Sequence, residues 1–148
     1  VIRYASPSDI PRLVEMGRNL HAATGDRAIA PYSEKDTATF FANLIGDGPG
    51  MALALDDVTG TYGMMAGIVS PLYFNFSVTV CQELFIWAEP GHRGGFPYIL
   101  WGIEQHAKAR GADMMIMAAS ELLRPKPMQR LLEMSGYKPF ERLYVKEL

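Results

Sequence analysis

The stretch Glu83-Leu84-Phe85-Ile86-Trp87-Ala88-Glu89-Pro90-Gly91-His92-Arg93-Gly94-Gly95 decides the fold. Its first half closes the most strand-like run in the chain, Val78 to Ala88. That run is apolar on both parities, with Val80, Leu84 and Ile86 expected on one face and Cys81, Phe85 and Trp87 on the other. A strand buried on both faces sits in the middle of a sheet. The second half is a basic, glycine-rich loop, after which Pro97 to Arg110 reads as a helix with Ile99, Leu100, Ile103 and Ala107 on one face. Strand, loop and helix in that order form a device for holding phosphate. Glycines let backbone N–H groups approach an anion, Arg93 adds charge, and a helix N-terminus contributes about 0.3 to 2 kcal/mol per favourable contact. The same residues also suit an ordinary strand-to-helix turn. The spacings Gly-x-x-x-x-Gly-Lys and Gly-x-Gly-x-x-Gly are both absent, which excludes a P-loop and a dinucleotide fingerprint.

Upstream, Val1 to Ala5 is β-prone, and Ser6-Pro7-Ser8-Asp9 is a helix start followed by Ile10, Leu13, Val14, Gly17 and Leu20 at helical spacing. Ser33 with Asp36 starts a second helix, buried through Phe40, Phe41, Leu44 and Ile45 and stopped by Gly46-Asp47-Gly48-Pro49-Gly50. Met51 to Leu55 and Tyr62 to Val69 flank a turn-rich link and predict an antiparallel hairpin. Ser70 to Ser77 reads as a loop carrying Pro71, Tyr73, Phe74 and Phe76. Downstream, Asp113 to Ala119 is a strand, Met128 to Met134 a short helix closed by Ser135-Gly136, and Leu143 to Lys146 a final strand. The expected architecture is α+β, one domain over residues 1–148, with a single mixed, mostly antiparallel sheet flanked by helices.

With 148 residues, 14 Lys+Arg against 16 Asp+Glu and 49% hydrophobic residues, the chain is long enough for one self-sufficient core. A net charge of -2 gives no electrostatic case for a nucleic-acid partner. No apolar run reaches the roughly 18 residues of a membrane span, and Val1-Ile2-Arg3-Tyr4 does not open a signal peptide. The single cysteine, Cys81, excludes an intramolecular disulfide and reads as a small buried hydrophobe. No pair among His21, His92 and His106 has metal-ligand spacing, so no metal is expected. These features together predict a cytoplasmic protein that grips a small ligand locally.

The opening helix with Asp9-Ile10, the strand ending at Pro90, the Arg93-Gly94-Gly95 loop with its helix, and Gly136-Tyr137 after the last helix resemble the GNAT superfamily of acyl-CoA-dependent N-acetyltransferases. The resemblance covers nearly the whole chain. It implies acetyl-CoA as cosubstrate, pyrophosphate contacts from His92, Arg93, Gly94, Gly95 and Phe96, and pantetheine contacts from Ile86, Trp87 and Ala88. It also assigns Glu83 to the general-base position. Chemistry supports a base there, because an alkylammonium with pKa near about 10.4 is roughly one part in a thousand neutral at pH 7. Between Cys81 and Phe85, desolvation would raise the Glu83 pKa toward the working range. Glu83 is equally suited to pairing with an arginine or capping a neighbouring strand, and Trp87 to core packing.

Two positions depart from the family pattern. The loop usually runs Arg/Gln-x-x-Gly-x-Gly/Ala, whereas Arg93 is followed by Gly94-Gly95-Phe96-Pro97. Counted back from Gly111, Gly91 takes the Arg/Gln place and Phe96 that of the second glycine. The family tyrosine that protonates the departing thiolate falls on Leu132, and the asparagine common before it falls on Pro125; Tyr98 and Tyr137 are substitutes by sequence proximity. The resemblance therefore implies transfer of an acetyl group to a primary amine of a small molecule or peptide. The alternative is a catalytically impaired GNAT-like module that binds acyl-CoA or a protein. Tyr73 and Phe74 are candidates for acceptor binding or for a contact between two copies of the chain. Arg124-Pro125-Lys126-Pro127 reads as a stiff connector.

Overall fold

The computed structural model describes residues 1–24, 29–120 and 125–148, and of Arg93, Gly94 and Pro125 it describes the backbone alone. Five strands, β1 (Ile2–Tyr4), β2 (Gly50–Asp57), β3 (Gly60–Leu72), β4 (Asn75–Ala88) and β5 (Met114–Ile116), form one sheet in sequence order. Every neighbouring pair is antiparallel except β4 and β5, which are parallel. The parallel pair is joined through a short 3-10 helix, Pro90–Gly95, and helix α3 (Phe96–Ala109), as a parallel crossover requires. Helices α1 (Ile10–Thr24) and α2 (Glu34–Leu44) precede β2, and α4 (Pro125–Met134) follows β5.

Local chemistry places the helices. The Asp9 carboxylate accepts the Ser6 N–H at 2.7 Å and pairs with Arg3 at 2.8 Å, which fixes the turn into α1. Ser33 Oγ accepts the Asp36 N–H at 3.2 Å as the cap of α2. Gly111, at φ +84°, ends α3 in the left-handed conformation that favours glycine. The two faces of the sheet then bury separate cores. Leu13, Met16 and Phe41 of α1 and α2 pack on Ala54, Met64, Ala66 and Trp87. Ile99, Ile103 and Ala107 of α3 pack on Met51, Leu53, Leu55, Met65 and Cys81. The α3 face read from the sequence is thus the buried one.

Several expectations are corrected. Ser70 to Ser77 is not a loop: β3 runs to Leu72, β4 starts at Asn75, and only a tight turn at Tyr73 and Phe74 separates them. Antiparallel pairing carries Pro71, opposite Thr79, because its missing N–H lies next to an irregular step in the ladder. The strand expected over Asp113 to Ala119 pairs for three residues only. Leu143 to Lys146 forms no strand, and Leu143, Tyr144 and Val145 are all exposed, so their β-propensity has no ladder to join.

Gly50 opens β2 directly against the end of α2, where an added Cβ would stand 2.6 Å from Leu44 Cα. Backbone cannot swing aside as a side chain can. Gly50→Ala is therefore expected to lower stability by about 2 kcal/mol in urea unfolding, as overpacking does. Gly48→Ala, with open space around its Cβ, is expected to have little effect.

Candidate active site

The site begins with a slip in β4. Ala66 of β3 faces Phe85 and the next residue, Gly67, faces Glu83, leaving Leu84 as an extra residue in a β-bulge. The slip inverts the alternation read from the sequence. Cys81 belongs to the α3 core, whereas Phe85 packs on and Trp87 lies within the α1/α2 core, and Ile86 joins the α3 side. Cys81, Phe85 and Trp87 therefore do not share a face. By the same parity Glu83, opposite Gly67, lies on the α3 side with Cys81.

Glu83 stands where the parallel pairing ends. The last rung with β5 joins Gln82 to Ile116, and β4 continues from Glu83 to Ala88 beyond it. The carboxylate accepts the backbone N–H of Ala118 at 2.9 Å, just past β5. Glu83 is 7% exposed, and burial pushes its pKa up to about 7 against the partial opposition of that hydrogen bond. Sequence reasoning offered a base or a strand cap; the observed contact is a cap, on a carboxyl whose ionisation falls at neutral pH.

The loop after β4 is held from outside. The Glu89 N–H donates to Tyr62 O at 2.9 Å, and the Glu89 carboxylate accepts from Arg12 and Asn19 of α1, each at 3.2 Å. His92 turns away from the loop: its Nε2 meets Asp57 Oδ2 at 2.7 Å and its ring stacks on Tyr62 at 4.4 Å. Neither the short helix nor α3 has a capping side chain. At Gly91 and Gly95 an added Cβ would meet nothing within 4 Å and the backbone is not left-handed, so no internal contact demands glycine there. Phe96 packs against the α3 core, and the side chain of Arg93 lies outside the described residues.

No protein-family model and no curated protein matches the sequence. Solved structures do. A predicted acetyltransferase with acetyl-CoA from Clostridium acetobutylicum superposes with TM-score 0.73 at 20% identity, over 99% of this chain and 95% of that one. A ribosomal-protein-alanine N-acetyltransferase from Brucella melitensis biovar Abortus 2308 gives 0.72 at 16% identity, over 100% and 99%. An aminoglycoside acetyltransferase from an uncultured soil metagenomic sample gives 0.75 at 14%, over 100% and 97%. The chain has the GNAT fold.

Within this GNAT fold the remaining candidates separate. Tyr73 and Phe74 sit at the tip of the β3–β4 hairpin, 75% and 90% exposed, and about 30 Å along β4 from Glu83 at about 3.3 Å per residue. They are not brought to the site. An open groove of ≈ 560 Å³ instead reaches β4 from the other side, lined by Gly17, Leu20, Tyr32, Asp36, Phe40 and Phe85 among others. Spacing could not reveal it, because its walls come from three separate elements. Of the two candidate acid tyrosines, Tyr137 has its hydroxyl engaged. Tyr137 donates to Glu104 at 3.0 Å, and burial first, then that bond, raise its pKa strongly; Tyr98 stacks against Trp101. Leu132 is buried. Cys81 is buried too, and desolvation pushes its thiol up to about 11, consistent with an inert packing role. Among the described residues no group of acidic, His and Cys side chains could hold a metal, and no helix is long and apolar enough to cross a membrane.

A carboxyl whose pKa is raised from the ordinary 4.5 to about 7 stabilises the fold below pH 4.5 and loses that contribution as pH rises through 7. Thermal unfolding is expected to show a loss of about 3 kcal/mol from this group across the interval. Glu83→Gln keeps an acceptor for Ala118 without a charge, so it should flatten the profile there and exceed the unsubstituted protein in stability at pH 8. An unchanged pH profile would remove the shift.

Proposed function

We propose that the protein transfers an acetyl group from acetyl-CoA to a primary amine, with Glu83 as general base. The observation that carries this reading is a buried carboxyl poised near pH 7 at the point where β4 outruns β5. At that pKa a substantial fraction is ionised at neutral pH and still basic enough to take a proton from an ammonium. The open space at Gly91 and Gly95, and the uncapped start of α3, suit the coenzyme pyrophosphate. Backbone contacts to the pantetheine arm fall to Ile86, Trp87 and Ala88, since the Trp87 side chain is committed to the core. His92 serves the loop through Asp57 rather than as a phosphate contact.

The acceptor amine reaches Glu83 at the margin where β4 outruns β5, because the groove beside Phe85 opens on the α1/α2 face of the sheet, away from the carboxylate. One structural neighbour is named as a ribosomal-protein-alanine N-acetyltransferase and another as an aminoglycoside acetyltransferase, and the first of these supports an amine acceptor here. Glu83, directly or through water, takes the ammonium proton. The amine nitrogen bonds to the thioester carbonyl carbon, β4 backbone groups stabilise the oxyanion, and the C–S bond breaks with its electron pair on sulfur. The nitrogen gives up its second proton to solvent as the tetrahedral intermediate collapses to the amide, and the thiolate takes up a proton from solvent, since Tyr137 is engaged by Glu104. The buried Leu132 and the engaged Tyr137 favour a second reading, an acyl-CoA-binding or protein-interaction module without turnover.

Calorimetric titration with acetyl-CoA, followed by thiol release across a panel of amines, separates the two readings. Binding with turnover is expected, and kcat/KM should rise with pH through an apparent pKa of about 7. Glu83→Gln should lower kcat about 100-fold while leaving the acetyl-CoA Kd nearly unchanged. An undiminished rate would remove Glu83 from the mechanism, and binding without thiol release would establish the module.

A further inference from the structure

The loop Pro90–Gly95 carries glycine at positions 91, 94 and 95 and gains no capping side chain at either helix start. Such a segment loses much conformational entropy when ordered, so a ligand that needs one shape must oppose that cost unless something else holds the shape. The partner comes from the turn of the β2–β3 hairpin, which lies at the same end of the sheet as the chain leaving β4. Asp57 Oδ1 accepts the Thr59 N–H at 2.7 Å and the Thr59 hydroxyl at 2.6 Å, leaving Oδ2 aimed at His92 Nε2, 2.7 Å away. Those Thr59 bonds first, and His92 after them, hold the Asp57 carboxyl down at about 2, so it is ionised throughout the working range. Beneath the imidazole lies Tyr62, nearly parallel at 13° and 4.4 Å from centroid to centroid, and the other ring nitrogen, Nδ1, is buried.

Resting on the reading of this loop as the coenzyme cradle, we infer that Asp57 and Tyr62 are positioning residues that hold the loop in its binding shape by clamping His92. The Asp57 carboxylate is engaged by Thr59 and His92. It acts through His92 alone, 35 residues along the chain. The clamp also separates two roles for His92 that sequence alone could not. A histidine bonded to the pyrophosphate would gain from removal of a neighbouring carboxylate, because an anion close to an anion site repels its ligand. A histidine that holds the loop would lose its anchor. The two roles predict opposite signs for the same substitution.

The test is calorimetric titration of acetyl-CoA into the unsubstituted chain and into Asp57→Ala, His92→Ala and the double variant, with amide hydrogen exchange over residues 90–96 measured without ligand. Asp57→Ala is expected to weaken acetyl-CoA about tenfold, in line with a lost charge-assisted hydrogen bond, and to raise KM with kcat unchanged at saturation. The double variant should be no weaker than either single one, because both remove the same link. His92→Gln, which keeps a side-chain N–H for Asp57, should recover part of the affinity lost in His92→Ala. Exchange over the loop should quicken in Asp57→Ala and in Tyr62→Ala. Affinity equal to or tighter than that of the unsubstituted chain in Asp57→Ala would overturn the clamp. If the unsubstituted chain does not bind acetyl-CoA, the coenzyme reading falls, and the exchange rates still decide the clamp: unchanged protection overturns it.

Discussion

The extra residue at Leu84 is the constraint on which the rest of the molecule turns. Before it, β4 presents Cys81 and Glu83 to the α3 side; after it, Phe85 and Trp87 go to the α1/α2 side. Without the slip, Glu83 would share a face with Phe85, and the strand would have to place its carboxylate and its largest side chains in the same core. With it, each core receives apolar side chains and the carboxylate is left at the margin of the α3 core, where β5 stops and the Ala118 N–H is the neighbour. Bulges also bend a strand and sharpen its twist. That is consistent with a pairing to β5 that lasts only from Val80 to Gln82 while pairing to β3 continues to Ala88.

Much of this was legible in the sequence because the helices announce themselves. Ser33 with Asp36, the apolar spacing of Ile99, Leu100, Ile103 and Ala107, and the glycine at 111 each encode a local conformation that tertiary packing then keeps. The central strand was legible as central for a reason that also hid its bulge. A strand apolar on both parities leaves no alternation to break, so a slip of one residue at Leu84 changes every face assignment without changing the pattern. At the other extreme, Leu143 to Val145 have strand-forming side chains and no strand. Propensity in a sheet is realised only through a partner, and both edge strands, β1 and β5, are only three residues long.

The loop residues were legible and their partners were not. Glycines and an arginine between strand and helix mark a phosphate-suited turn from composition alone. Asp57 and Thr59 read as turn formers, and they are, but nothing in their spacing points to a histidine on a different connection. The hairpin's register brings them together: Asp57 faces Gly60 across the turn, Gly63 faces Ala88, and the chain leaving β4 therefore passes Tyr62 within hydrogen-bonding reach. The groove against Phe85 is hidden in the same way, since only tertiary packing brings α1, α2 and β4 together there.

These placements also explain why a carboxyl with a raised pKa is tolerated at Glu83. A buried glutamate with a single backbone donor among the described residues is poorly compensated, and a larger set of donors would stabilise its charge and drop its pKa. That stronger network would make a sturdier protein and a weaker base. A lone Ala118 N–H keeps the side chain oriented while leaving desolvation dominant, which is the balance that brings a carboxyl to about 7. The near-neutral charge of the whole chain fits the same logic. With a net charge of only -2, the proposed chemistry rests on the local burial of Glu83 and the local shape of the glycine loop. Both of these are fixed by where β4 parts from β5.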